Sequence, residues 1–101
     1  MGWFTRLRGA RAPEAEVVVV SREGCHLCVE MEHVVREVLA ERPDRSRRDG
    51  RLRVLDLDEL GREEPELLQR WTNSIPVLLV DGREVAHWRV DADAVRGALR
   101  R

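Results

Sequence analysis

Residues 16–28 read EVVVVSREGCHLC: four consecutive valines, a polar turn through Ser21, Arg22, Glu23 and Gly24, and two cysteines three positions apart. A β-branched run with no polar interruption, bounded by Pro13 before and Gly24 after, predicts a strand over Glu16–Ser21 that is buried on both faces. From His26 the pattern changes. Leu27, Met31, Val34, Val35, Val38 and Leu39 recur at helical spacing, with Glu30, His33, Glu37 and Glu41 between them. This is an amphipathic helix, and Pro43 stops it because the residue before a proline avoids the helical conformation. Cys25 and Cys28 therefore fall where a central strand hands over to a helix.

Downstream, Asp44–Gly50 reads as a polar loop, and Arg51–Asp56 partly alternates apolar and polar, as expected of an edge strand or one with a wet side. Acidic residues and Gly61 lead to Pro65, which suits the first turn of a helix; Leu67, Leu68 and Trp71 give that helix its apolar spacing until about Thr72. Val77–Val80 is again wholly apolar. Asp81-Gly82 then signals a hairpin to a strand over Glu84–Arg89. Asp91 or Asp93 caps a last helix carrying Val95 and Leu99 with Ala92, Ala94 and Ala98. The order is βαβαββα, an α/β fold. The wholly apolar strands belong in the centre and the charged ones at the edges, so the four-stranded sheet should run 2-1-3-4 with helices on both faces. A right-handed crossover makes strands one and two parallel. Periodicity leaves the direction of strand three open.

At 101 residues the chain holds one domain. With 43% hydrophobic and 37% charged residues, it reads as a soluble protein with a densely ionic surface. Its 18 basic residues are all arginine, but the formal net charge is -1, which argues against nucleic-acid binding. Its longest apolar run, Val17–Val20, is far too short for a membrane span, and residues 1–14 lack the apolar stretch of a secretory signal. The expectation is a cytoplasmic monomer with a flexible N-terminal arm over residues 1–14 and one domain over 15–101.

Two cysteines are too few for a secreted disulfide scaffold. Residues three apart on a helix lie one above the other, close enough for a reversible disulfide. Cys25 falls at the helix cap, where unpaired backbone N–H groups and the positive end of the dipole favour a thiolate. That makes it the nucleophile. Cys28, a turn inside, is the resolving thiol that attacks the mixed disulfide formed at Cys25. His26 is either a cation that favours the thiolate or a solvent-facing filler, and Arg22 either serves thiolate and substrate or is a solvated loop charge. His33 and His87 read as surface or packed histidines, and Trp71 and Trp88 as core plugs outside the site. No metal site is expected, since His26 and His33 stand about 10 Å apart along one helix. The rival classes are a metal or iron–sulfur binding module and a non-catalytic adaptor.

Cys25-His26-Leu27-Cys28, Ser74-Ile75-Pro76 before strand three and the order of elements resemble the glutaredoxin branch of the thioredoxin superfamily, over about residues 16–100. The nearest likeness is to small glutaredoxin-like proteins of bacterial type. The resemblance implies that Pro76 is cis and faces the cysteine pair, and that Ser74, Ile75 and Pro76 form a substrate shelf; Arg22 and His26 join them as candidate substrate-binding residues. It also makes strand three antiparallel to strand one. The implied activity is thiol–disulfide exchange on protein or glutathione mixed disulfides, with no tightly bound cofactor beyond the Cys25–Cys28 centre. Glutathione or another thiol reductase system would supply the electrons. The sequence departs from the common pattern: His26-Leu27 stands where Pro-Tyr is usual, and Trp88-Arg89-Val90-Asp91 replaces a Gly-Gly-x-Asp turn.

Overall fold

The computed structural model describes residues 14–41 and 47–100. The N-terminal arm expected over residues 1–14 lies outside them, apart from Glu14, which already belongs to the first strand. The elements follow as β1 (Glu14–Ser21), α1 (His26–Ala40), β2 (Asp49–Asp56), α2 (Leu57–Glu63), α3 (Pro65–Trp71), β3 (Val77–Val80), β4 (Arg83–His87) and α4 (Ala92–Leu99). They form one four-stranded sheet in the order β2-β1-β3-β4. β1 runs parallel to β2 and antiparallel to β3, and β3 antiparallel to β4.

The alternation of a strand places successive side chains on opposite faces. Val17 and Val19 join Leu78 and Val80 on one side, where Met31, Val35 and Val38 of α1 and Val95, Ala98 and Leu99 of α4 cover them. Val18 and Val20 join Val77 and Leu79 on the other, under Leu57, Trp71 and the flanking Leu60, Leu67 and Leu68. Each buried valine or leucine removes enough apolar surface from water to contribute ~1.5–3 kcal/mol. β1 does so on two faces while hydrogen-bonding to a neighbour on each edge. The far end of β1 is pinned as well: Asp81 accepts from the Glu16 N–H at 3.1 Å, its own N–H donates to the Glu16 carbonyl at 2.9 Å, and Arg48 pairs with its carboxylate. At the end of α1, Arg96 of α4 grips both carboxylate oxygens of Glu41. Hydrogen bonds from that guanidinium hold the Glu41 carboxyl below the usual carboxylate range.

The segment after β2 differs from the expected linker. Asp56 accepts hydrogen bonds from the N–H groups of Asp58 (2.8 Å) and Glu59 (3.3 Å), so it caps a helix of its own, α2. Asp58 and Glu59 in the first turn and Arg62 in the last complement the helix dipole. Pro65 then forces Glu64 out of helical geometry, and one acidic stretch becomes two helices. Asp91, rather than Asp93, caps α4 by accepting from the Ala94 N–H at 2.8 Å. β4 stops at His87, two residues before its expected end, because Trp88 turns to a positive φ of 67°.

Gly61 is buried where α2 meets α3, and a Cβ there would stand 2.7 Å from the Cβ of Leu68. Alanine would gain ~1 kcal/mol in helix propensity. Against this, overpacking typically costs ~1–3 kcal/mol, and a Cβ cannot swing away as the end of a long side chain can. Gly61→Ala should therefore lower the unfolding free energy by up to about 2 kcal/mol, read as a lower urea midpoint; an unchanged or higher midpoint would show that the two helices separate freely.

Candidate functional site

Gly24 (φ +76°) turns the chain out of β1, and a Cβ at that position would meet nothing within 4 Å, so the position calls for glycine by backbone conformation rather than by space. Cys25 follows with extended geometry (φ -99°, ψ 110°) and caps α1 through its side chain: Sγ accepts from the backbone N–H of Cys28 at 3.1 Å. The first turn of α1 carries no acidic residue, so nothing competes with this sulfur for the positive end of the helix. Cys25 and Cys28 are joined as a disulfide across a Cα–Cα separation of 5.2 Å, and the described residues contain no other cysteine. The two sulfurs differ in setting. Cys25 is half-buried at the mouth of the turn, whereas Cys28 is only 1% exposed.

Around the pair lies a cleft of about 410 Å³ lined by Arg22, Glu23, Gly24, Cys25, His26, Cys28, Val29 and Glu32. It brings together four of the residues singled out in the sequence, namely Arg22, Cys25, His26 and Cys28. Arg22 is committed on its other side. Its guanidinium makes a fork with Asp58 (Nε 3.2 Å, Nη2 3.1 Å) and reaches Thr72 Oγ1 at 3.3 and 3.4 Å. It therefore ties the turn after β1 to α2 and to the residue at the end of α3, and much of its charge is met by Asp58. His26 is exposed. His33 faces solvent beside Glu37, at 3.3 Å, and His87 packs edge-on to Trp88 with ring centroids 4.6 Å apart. Among the described residues no group of three or more His, Cys, Asp or Glu side chains gathers as a metal site would.

Ser74, Ile75 and Pro76 do not line the cysteine cleft. They form the loop between α3 and β3, with the Ile75–Pro76 bond cis, as the resemblance implies, and Pro76 buried. Two residues hold this loop, and the first of them also lines the cysteine cleft. One is Arg22, through Thr72. The other is Trp88, whose N–H donates to the Pro76 carbonyl at 2.8 Å and whose indole Nε1 donates to the Asn73 carbonyl at 3.1 Å. Trp88 is 51% exposed, so it is not the core plug its type suggests, while Trp71 is one, at 1%. With Leu27 and Met31 of α1 and Val90, Trp88 lines a second cleft of about 350 Å³. The sequence offered one hint, that Trp88 opens the segment standing in place of the usual glycine turn; its positive φ, a conformation ordinarily left to glycine, is visible only in the structure.

The glutaredoxin-like domain family (DUF836) matches residues 16–100. Uncharacterized proteins of Mycobacterium bovis and Mycobacterium tuberculosis are each 32% identical over 87 residues, 85% of this chain and 84% of theirs. The crystal structure of Trxlp from Edwardsiella tarda superposes with a TM-score of 0.53 at 21% identity, covering 97% of this chain and 91% of that one, which is a likeness of fold.

Because Asp58 neutralises Arg22, Asp58→Asn should leave a net positive charge beside Cys25 and favour its thiolate. A partly screened charge is worth ~0.3–1 kcal/mol, so alkylation of reduced Cys25 by iodoacetamide near neutral pH should speed up about two- to fivefold. The gain should shrink at high salt. An unchanged rate at low salt would mean that the Arg22 charge does not reach the sulfur.

Proposed function

Because this chain belongs to the glutaredoxin-like (DUF836) family and carries its two cysteines at the head of α1, we propose that it is a dithiol thiol–disulfide oxidoreductase. The observation that carries the reading is the unequal setting of the two sulfurs. One is accessible, at a helix N-terminus, with a backbone N–H directed at it; the other is buried a turn behind it, within bonding reach.

In the reduced protein the Cys25 thiolate attacks a substrate disulfide R–S–S–R′. A Cys25–S–S–R bond forms and R′S⁻ leaves, taking a proton from solvent. Cys28, as thiolate, then attacks Cys25 Sγ; the Cys25–Cys28 bond forms and RS⁻ leaves. Two electrons have passed from the dithiol to the substrate, and two from an external thiol reductant restore the dithiol. The helix N-terminus serves the first step by favouring the attacking thiolate, and the 5.2 Å separation serves the second by making it intramolecular. Arg22, His26 and the Ser74-Ile75-Pro76 loop are the groups we assign to holding the substrate, which is a protein or glutathione mixed disulfide. Both cysteines belong to one chain, so the cycle needs only a monomer. Two cysteines and no further disulfide framework suit a reducing compartment, the cytoplasm.

Cys25→Ser should abolish both thiol reactivity near neutral pH and disulfide reduction. Cys28→Ser should keep the reactive thiol and accumulate mixed disulfides with substrate, visible by mass spectrometry. Equal alkylation rates for the two thiols of the reduced protein would contradict the assignment. A coupled assay, offering first glutathione with its reductase and then thioredoxin reductase, identifies the electron source.

A further inference from the structure

Cys28 must lose a proton before it can attack, since the thiolate is the nucleophile. Its surroundings do not help. At 1% exposure it is buried within α1, and removal from water disfavours an anion. The backbone N–H that favours a thiolate at Cys25 is Cys28's own, directed outward to the other sulfur. A proton acceptor at the inner cysteine is therefore needed, and one side chain is placed to be it. Glu32 follows Cys28 by four residues on α1, so the two share a helix face with Cβ atoms ~5–6 Å apart. Both line the cleft that holds Cys25. The Glu32 side chain is 21% exposed, sheltered enough to sit at the buried sulfur and wet enough to pass a proton to solvent. It is also oriented: the hydroxyl of Ser21, the buried last residue of β1, donates to its Oε2 at 3.0 Å, and Arg36 stands 3.8 Å from Oε1.

We propose that Glu32 accepts the proton of Cys28 in the resolving step, an inference that rests on the oxidoreductase reading above. Its carboxylate takes the Cys28 S–H proton, directly or through one water. The freed sulfur lone pair attacks Cys25 Sγ, the Cys25–Cys28 bond forms, and RS⁻ leaves and is protonated by the Glu32 carboxylic acid or by solvent. When the disulfide is reduced again, the same acid returns the proton to Cys28. The other charged and titratable groups at this cleft are Arg22 and Glu23 of the turn after β1, His26 and Arg36 of α1, and Asp58 of α2 through its fork with Arg22. Arg22 is engaged with Asp58 and Thr72, and His26 is exposed beside the outer sulfur. Of these groups only Glu32 combines a carboxylate, partial burial and helical register with Cys28.

The test separates the two steps. Mixing reduced protein with dithiobis(nitrobenzoate) releases one chromophoric thiolate when Cys25 attacks and a second when Cys28 resolves the mixed disulfide. Glu32→Gln keeps the shape and a hydrogen-bond partner for Ser21. Near pH ~6 it should slow the second release about 10- to 100-fold, the usual range for losing a general base being ~10²–10⁴ with part of that recovered by water. The first release should stay within about twofold, which also certifies the fold, and above pH ~9.5, where thiols ionise unaided, the two proteins should converge. Independently of any variant, the wild-type second release should change little in rate between about pH 8 and pH 6, as expected when a built-in base takes the thiol proton. A Glu32→Gln profile parallel to wild type would overturn the proposal and leave the oxidoreductase reading intact. So would a wild-type second release that falls tenfold per pH unit below about pH 8. A wild-type protein that releases no second equivalent would overturn both.

Discussion

The fold depends on a strand that has no solvent side. β1 carries four valines in a row, and only a position covered above and below, with a hydrogen-bonded neighbour at each edge, buries all of them. Its placement dictates the rest. α1 and α4 must cover Val17 and Val19, and α2 and α3 must cover Val18 and Val20. The strand ends where its burial ends, at Ser21, and Gly24 turns the chain into α1. A cysteine placed at that turn inherits an anchored strand on one side and an open helix N-terminus on the other. The chemistry at the site is thus a by-product of how the central strand has to stop.

Much of this was legible because it rests on local patterns. Runs such as Val17–Val20 and Val77–Val80 identify the central strands, and Arg51–Asp56 an edge, from composition alone; the sheet order followed from burial, and the observed order is the expected one. The direction of β3 was not readable from periodicity and came only with the family resemblance. The extra helix α2 was missed because its signal is a cap, Asp56, standing directly at the end of a strand, with acidic residues that look like a linker until their N–H groups are accounted for. At the site, the cap position of Cys25 could be read from the switch of period after Gly24. The partners of Arg22 could not, since Asp58 and Thr72 lie 36 and 50 positions away and meet it only when α2 and α3 pack on the sheet.

Trp88 illustrates a different reason for illegibility. A large aromatic at the end of a strand is ordinarily core, and the sequence offers no count of what already fills that core. Trp71 takes the buried place under the sheet, and Trp88 is left to the surface, where its two N–H groups fasten the loop that precedes β3. With Arg22 bonded to Thr72 as well, the segment bearing the cis Ile75–Pro76 bond is held at three of its residues, Thr72, Asn73 and Pro76. A substrate meeting it would encounter a surface already ordered, so little entropy is left to lose on binding.

The outer rows of the sheet have a consequence beyond the site. β2 is an open edge, and such an edge invites the strand of a neighbouring molecule to continue the ladder. Here it projects Arg51 and Arg53 into solvent on its exposed positions. Arg51 has Glu14 beside it at 3.7 Å as a counter-ion, so in two copies meeting edge to edge through β2 it is above all Arg53 that brings like charge to the ladder, and like charges facing across a ladder oppose pairing. The edge is guarded against polymerisation by the charge it carries into solvent.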